Sequence, residues 1–348
     1  MSITERVYAR VGLLGNPSDG YFGCCISFSL MNFWAEVELT PQARGIQFIP
    51  SPVHDLLSFP SLNEFNAKIS GCGYYGGVRL LQAMVKVFHQ YCREMNISVS
   101  TEKTGFQLSY STNIPRQTGL SGSSAICCAA LNALMKHFGV EHQIPLEMRP
   151  NLVLGAEKEL GITAGLQDRV IQVYGGLMYM DFDESHMRMK GHGMYERMDP
   201  NLLSLQGNPA LLYIMFADCP SESGAVHADV RQRWLRGDEE IREGMLQLAS
   251  IAKEGRVALE QRNIALLAEL MSRNFDLRRS MFGDEVLGEQ NLDMIMLARS
   301  HGCAAKFTGS GGAVVVLCTE GEAQAAALRL EAANRGYCLQ NAHFSRNS

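Results

Sequence analysis

Apolar residues recur along this chain at two spacings. Val7 to Leu14 alternates as a strand does, and Cys24 to Leu39 continues strand-rich through Ile26, Phe28, Phe33, Trp34 and Val37. Leu62, Phe65 and Ile69 fall at helical spacing, and a second helix is predicted from Val78 to Met95. Phe106 to Tyr110 is a short alternating strand. Helices follow at Ser123–Phe138, closed by a C-terminal glycine at Gly139, at Pro150–Leu160 with proline in its first turn, and at Gly165–Tyr174. A strand is expected at Leu177–Phe182, then a polar stretch rich in glycine and histidine that runs to Asn208. Beyond it come a strand at Leu211–Ala217, helices over about 225–300, a strand–glycine loop–strand at Ala305–Cys318, a helix at Glu322–Asn334 and a last strand at Tyr337–Phe344. The pattern is α+β in two halves, with the boundary expected near 205, giving domains 1–205 and 206–348.

Composition narrows the class. The 348 residues are 46% hydrophobic and 19% charged, which excludes disorder as the main state. Lysine and arginine total 31 against 36 acids, a net charge of −5, and no basic block marks a nucleic-acid binder. No apolar run approaches the ~18–20 residues of a membrane span, and the first residues lack a secretory signal. A soluble cytoplasmic protein, monomeric or weakly self-associating, is expected.

The ten cysteines, two pairs of them vicinal, show no CxxC, and the nine histidines no HExxH, so neither set predicts a metal site. Buried free thiols are expected instead. Gly71, Gly73 and Gly76 fit the GxGxxG dinucleotide pattern, but a predicted helix precedes them where that fingerprint needs a strand.

Three glycine loops and two carboxylates carry the candidate chemistry. Asn113–Ser124 is a polar glycine and serine loop that feeds a strong helix; backbone amides at such a helix start present positive charge to an anion. Glu157 and Asp168 lie 11 residues apart across a break punctuated by Gly161 and Gly165, so both can turn toward one site. One carboxylate suits a hard cation and the other a hydroxyl proton. Thr308-Gly-Ser-Gly-Gly312 enters a buried strand.

In order, Arg10-Val-Gly-Leu-Leu-Gly-Asn-Pro-Ser-Asp19, Pro115 to Ala125 and Thr308–Gly312 resemble the three motifs of the GHMP kinases, and the Glu157/Asp168 pair has their spacing. Within that superfamily, Gly73-Tyr-Tyr-Gly-Gly-Val-Arg-Leu-Leu81, Val230-Arg-Gln-Arg-Trp-Leu235 and Met281-Phe-Gly-Asp-Glu285 resemble the glucuronokinases. The resemblance spans nearly the whole chain. It implies an N-terminal α/β domain with a left-handed βαβ-type ATP site and a ferredoxin-like C-terminal domain. The implied reaction is phosphorylation of D-glucuronic acid at its anomeric hydroxyl by ATP and Mg²⁺, on the way to UDP-glucuronate.

Carried over residue by residue, the resemblance makes Asp168 the general base and Arg10 its neighbouring cation. It makes Gln117, Thr118, Gly119, Leu120, Ser121, Gly122, Ser123 and Ser124 the triphosphate cradle, and Ser124 and Glu157 the Mg²⁺ ligands. Asp19 is the sugar-hydroxyl acceptor, with Asn16 and Gly311 beside the substrate. Two departures stand out. Asn16-Pro17 replaces the Glu-His of galactokinase. The phosphate loop is one residue longer than the superfamily's, so Ser123 competes with Ser124 for the metal. A sugar acid also calls for an arginine; Arg79, Arg116, Arg169, Arg231, Arg233 and Arg278 are the candidates. Rival readings are another GHMP sugar kinase, for galacturonate, fucose or a heptose phosphate, and a silent sugar- and ATP-binding regulator.

Overall fold

A computed structural model describes residues 1–72, 76–99, 105–162, 164–204, 211–217 and 228–344. The boundary expected near 205 and the residues Gly73, Tyr74 and Tyr75 of the GxGxxG match lie outside them. Strands β1 (Ile3–Leu14) and β2 (Cys24–Gln42) are followed by a short β3 (Ile46–Phe48), helices α1 (Leu62–Cys72) and α2 (Val78–Glu94), and β4 (Gly105–Thr112). Helices α3 (Gly122–Phe138), α4 (Arg149–Glu159) and α5 (Gln167–Tyr174) lead to β5 (Leu177–Asp181), α6 (Glu184–Lys190) and β6 (Met194–Met198). Strand β7 (Leu212–Ala217) precedes α7 (Ala228–Arg236), α8 (Glu239–Glu260), α9 (Ile264–Phe282), α10 (Asp284–Leu287) and α11 (Glu289–Ser300). The chain continues through β8 (Ala304–Phe307), β9 (Ala313–Leu317), α12 (Glu322–Asn334) and β10 (Tyr337–Asn341).

These elements divide into two compact units that interleave along the chain. The first holds Met1–Tyr8, Phe33–Arg116 and Gly122–Ala164. In it the second half of β2 pairs antiparallel with β4, Ala35 opposite Thr112 through Gln42 opposite Gly105, and β3 adds in parallel to β4. Helices α2, α3 and α4 pack on one another. Helix α3 explains its own position: eleven of its seventeen residues are buried, so it is apolar nearly all round and belongs inside. The rings of Phe88 and Phe138 stack at 5.8 Å, and Phe106 meets Phe138 edge-on at 6.2 Å.

The second unit holds Ala9–Asn32, Gln117–Ser121 and Gly165–Ser348. The first half of β2 pairs with β5, and β5 with β6, both antiparallel. A separate four-stranded antiparallel sheet runs in the order β10-β7-β9-β8. With helices between β7 and β8 and between β9 and β10, this is the β-α-β-β-α-β order of a ferredoxin-like sheet. Every residue of the two central strands, β7 and β9, is buried, which is why both read as unbroken apolar runs.

The stretch read as polar between 183 and 204 contains two elements that the apolar pattern does not announce. Helix α6 is capped by the Asp183 carboxylate, which accepts the His186 N–H at 2.9 Å, and ends at a left-handed Gly191. Strand β6 buries only Met198 of its five residues, so it carries no alternation to detect. Cys24, Cys25, Cys92, Cys127, Cys128, Cys303 and Cys318 are buried free thiols, as their apolar surroundings predict. Among the described residues no helix is long and apolar enough to cross a membrane.

Phe88 is 1% exposed and packs on α3 and α4. Phe88→Ala is expected to cost about 3–5 kcal/mol, read as a lower urea-unfolding midpoint at unchanged m-value.

Candidate active site

The second unit gathers most of the candidate residues. Arg10, near the inner end of β1, is 4% exposed and grips Asp168 in the first turn of α5 with two parallel bonds: Nε to Oδ1 at 2.5 Å and Nη2 to Oδ2 at 2.9 Å. Its Nη1 donates to the carbonyls of Gly119 at 2.6 Å and Thr308 at 3.1 Å. One guanidinium therefore ties β1, α5, the 117–121 segment and the third glycine loop together. Ser121 Oγ donates to Asp168 Oδ2 at 2.5 Å, and Gln172 Nε2 donates to the Ser121 carbonyl.

The two glycine loops of this unit meet backbone to backbone. A Cβ on Gly119 would collide with the Gly311 carbonyl, and one on Gly312 with Gln117 and Thr118. Both glycines also hold positive φ, +64° and +87°, so glycine is required twice over. Gln117 and Ser121 adopt positive φ as well, 58° and 65°, although they carry side chains. Strain of this kind concentrates at ligand clamps.

Asp19 lies in a single 3₁₀ turn, Ser18–Tyr21, after β1. Its carboxylate accepts the Gln167 N–H at 3.1 Å, and the bare backbone of Gly165 leaves it room. The two acids are driven apart in acidity. Burial raises Asp19 first, the charge of Asp168 raises it further, and it reaches about 6 despite the Gln167 N–H, Arg169 and Arg10. Burial pushes Asp168 upward too, but the charges of Arg10 and Arg169 and hydrogen bonds from Arg10 and Ser121 outweigh it and hold this carboxyl at about 2. Neighbouring acids separated in this way mark sites of acid–base chemistry.

Several supporting residues have roles that the sequence does not announce. Lys306, 1% exposed, donates from Nζ to the Gly12 carbonyl at 2.8 Å, to Asn16 Oδ1 at 2.6 Å and to the Phe307 carbonyl at 2.8 Å. Burial, then Arg278 and Arg10, hold its pKa well below that of an ordinary lysine. Asn16 thus gives its amide oxygen to Lys306, inside the protein. Asn274 accepts the Gly15 N–H at 2.7 Å, and Asn291 accepts the Gly312 N–H at 2.7 Å. Arg278 donates to the carbonyls of Gly309 and Ser310 at 2.6 and 3.1 Å, with its guanidinium over the rings of Phe282 and Phe307. Lys306 stands inside the third motif's string; Asn274 and Asn291 sit on helices outside the motifs, where a buried polar residue looks like a solvated one.

The remaining candidates belong to the first unit. Helix α3 starts at Gly122, and Ser123 Oγ donates to Glu157 Oε1 at 2.6 Å. Glu157 and Ser124 are both fully buried. A buried carboxylate beside hydroxyls at a helix start is an oxygen-only donor set, and it fits a small hard cation that takes its other ligands from phosphates and water. Among the described residues no cluster of three or more His, Cys, Asp or Glu forms a self-contained metal cage.

Comparison with known proteins agrees with this architecture. Residues 79–176 match the GHMP kinases N terminal domain and residues 256–336 the GHMP kinases C terminal domain. Glucuronokinase 1 of Arabidopsis thaliana is 53% identical over 97% of this chain and 91% of its own length. Probable glucuronokinase 2 of the same plant is 54% identical over 97% and 90%. The crystal structure of Lactococcus lactis galactokinase complexed with galactose superposes with a TM-score of 0.71 at 15% identity, covering 99% of this chain and 94% of that one, a likeness of fold alone. Matched by both domain models and, over 97% of its length, by relatives more than half identical, the chain belongs to the GHMP kinase family.

Proposed function

We propose that this protein transfers the γ-phosphoryl group of ATP, with Mg²⁺, to the anomeric hydroxyl of D-glucuronic acid, yielding glucuronic acid 1-phosphate and ADP in the cytosol as a step toward UDP-glucuronate. The observation that carries the reading is identity of 53% to Glucuronokinase 1 across 97% of the chain, and the bidentate Arg10–Asp168 pair supports it.

Phosphoryl transfer asks for positioning and charge neutralisation more than for covalent chemistry. Asp168, kept ionised by Arg10, accepts the hydrogen bond of the attacking hydroxyl and takes its proton as the bond to phosphorus forms. A carboxyl held at about 2 is a weak base, which suits a loose transition state in which the proton leaves late. Arg10 keeps the base in its ionised form and aims both oxygens. Asp19 accepts a further sugar hydroxyl, with Asn16 and Gly311 beside it. The cradle from Gln117 to Ser124 receives the triphosphate through its amides and the start of α3. Glu157, with Ser124 or Ser123, is the set that holds Mg²⁺; the Ser123–Glu157 bond favours a share for Ser123. When bound, that ion neutralises phosphate charge. We place the functional domain boundary near residue 205.

A panel of glucuronate, galacturonate, fucose, galactose and mevalonate with ATP and Mg²⁺ is expected to show turnover greatest with glucuronate. Greater turnover of another acceptor, or none at all, would displace the proposal. Asp168→Asn is expected to lower kcat by ~10²–10⁴-fold while KM for ATP stays within about twofold. Near-normal kcat would remove Asp168 from the base role.

Asp19 yields a prediction of opposite sign for stability. Burial lifts its folded pKa to about 6, above that of an ordinary aspartate, so its ionisation opposes folding; that cost is absent below the unfolded value and fully present above about 6. Asp19→Asn is expected to raise Tm by about 1–3 °C at pH 8. The gain shrinks to nothing between pH 6 and pH 4, and KM for the sugar rises throughout the neutral range. A scan of Tm against pH for both proteins checks the sign.

A further inference from the structure

The 3₁₀ turn that carries Asp19 also anchors an arginine. Gly20, the next residue, offers its carbonyl to Arg231 Nη1 of α7 at 2.5 Å. The Arg231 guanidinium lies over two aromatic rings, 5.5 Å from the Tyr21 centroid and 5.7 Å from that of Trp234. Those rings brace each other edge-on at 5.6 Å, and Phe22 closes on Trp234 at 6.0 Å. The Tyr21 hydroxyl feels the charges of Asp19, Arg231 and Arg278 together, so the arginine and the acid share one neighbourhood. Arg231 is nevertheless exposed, and among the described residues no carboxylate pairs with it.

An exposed arginine is ordinarily free to move and is worth little. This one is held by a backbone carbonyl and two ring faces, with donors left over. Its ordering is in place before any ligand arrives, and that is the condition under which a guanidinium recognises a carboxylate selectively.

The other candidate arginines of this unit, Arg169, Arg233 and Arg278, are otherwise engaged. Arg233 is bound to Asp238 at 2.7 Å and Glu240 at 2.9 Å. Arg169 stands 3.5 Å from Asp168 and donates to the Gly165 carbonyl. Both terminal nitrogens of Arg278 are given to the third glycine loop. Arg79 and Arg116 belong to the other unit.

The geometry points to Arg231, set on the Tyr21–Trp234 pair, as the residue that receives the carboxylate of the sugar acid and so selects it over neutral sugars. The inference rests on the proposed activity. In a pyranuronic acid the carboxylate on C5 lies across the ring oxygen from the anomeric hydroxyl. A substrate whose hydroxyls reach Asp168 and Asp19 carries its acid group on the flank away from the anomeric carbon, and the turn that holds Asp19 also holds Arg231.

The test compares glucuronate with glucuronamide, its neutral isostere, under saturating ATP and Mg²⁺. Arg231→Ala is expected to lower the ratio of kcat/KM for glucuronate over glucuronamide by about 10- to 100-fold, the loss residing in KM for glucuronate. Arg231→Gln, which keeps a donor for Gly20 without the charge, is expected to lose the preference as well. Arg231→Lys is expected to recover part of it, because a point charge replaces the planar fork. Arg233→Ala, on the same helix, serves as the control and is expected to keep the wild-type ratio. An unchanged ratio in both Arg231→Ala and Arg231→Gln overturns the inference, as does a loss that is equal for the two sugars or confined to kcat. Absence of glucuronate turnover in the wild-type enzyme is a different result, which removes the proposed activity and this inference with it.

Discussion

Arg10 and Asp168 stand 158 residues apart in sequence and meet through two parallel hydrogen bonds in a buried setting. Burying a charge is costly unless it is paired and its remaining donors are used. Arg10 meets that condition with four of its five N–H groups. Two donors go to the Asp168 carboxylate, and Nη1 goes to the carbonyls of Gly119 and Thr308. The same bonds that make the arginine tolerable inside the protein bring together a strand, a helix start and two glycine loops. Asp168, the 117–121 segment and the third glycine loop are held together by this one side chain.

Around that pair the unit repeats the device. Arg278, Asn274 and Asn291 are buried polar residues that bond main-chain groups of the loops, and Lys306 bonds the strand carbonyls of Gly12 and Phe307 and the amide oxygen of Asn16. A glycine loop has no side chains to hold it in place, so its shape must be imposed from outside. Side chains from α9 and α11 supply the constraint. Gly119 and Gly312 let the loops approach until backbone touches backbone, and the strain at Gln117 and Ser121 is sustained by the same surroundings. A fixed loop backbone and a fixed carboxylate follow from this restraint.

The acids show how environment divides labour between identical groups. Asp19 and Asp168 feel each other's charge, yet Asp168 has two arginines and a serine hydroxyl while Asp19 has one backbone N–H and more distant cations. One is therefore ionised under all ordinary conditions and the other titrates near neutrality. Arg231 extends the same turn with a cation, so that Ser18–Tyr21 carries an acid toward α5 and receives an arginine from α7.

Much of this was legible in the chain itself. Apolar spacing marks α2, α3, α4, β7 and β9, because each buries a face or a whole element and must repeat accordingly. The glycine-rich strings mark the three loops, because only glycine tolerates their backbone, and the motif order identifies the family. Strand β6 and helix α6 were not legible, since an element that buries one residue or none leaves no period. The engagements of Arg169, Arg233, Arg278 and Arg231 were equally hidden, for sequence lists six arginines on equal terms. Only the tertiary structure decides which guanidiniums are spent on carboxylates or carbonyls and which keeps donors free, because a partner, whether 5 residues away as for Arg233 or 211 as for Arg231, is brought within reach by the folded backbone and not by residue type or spacing.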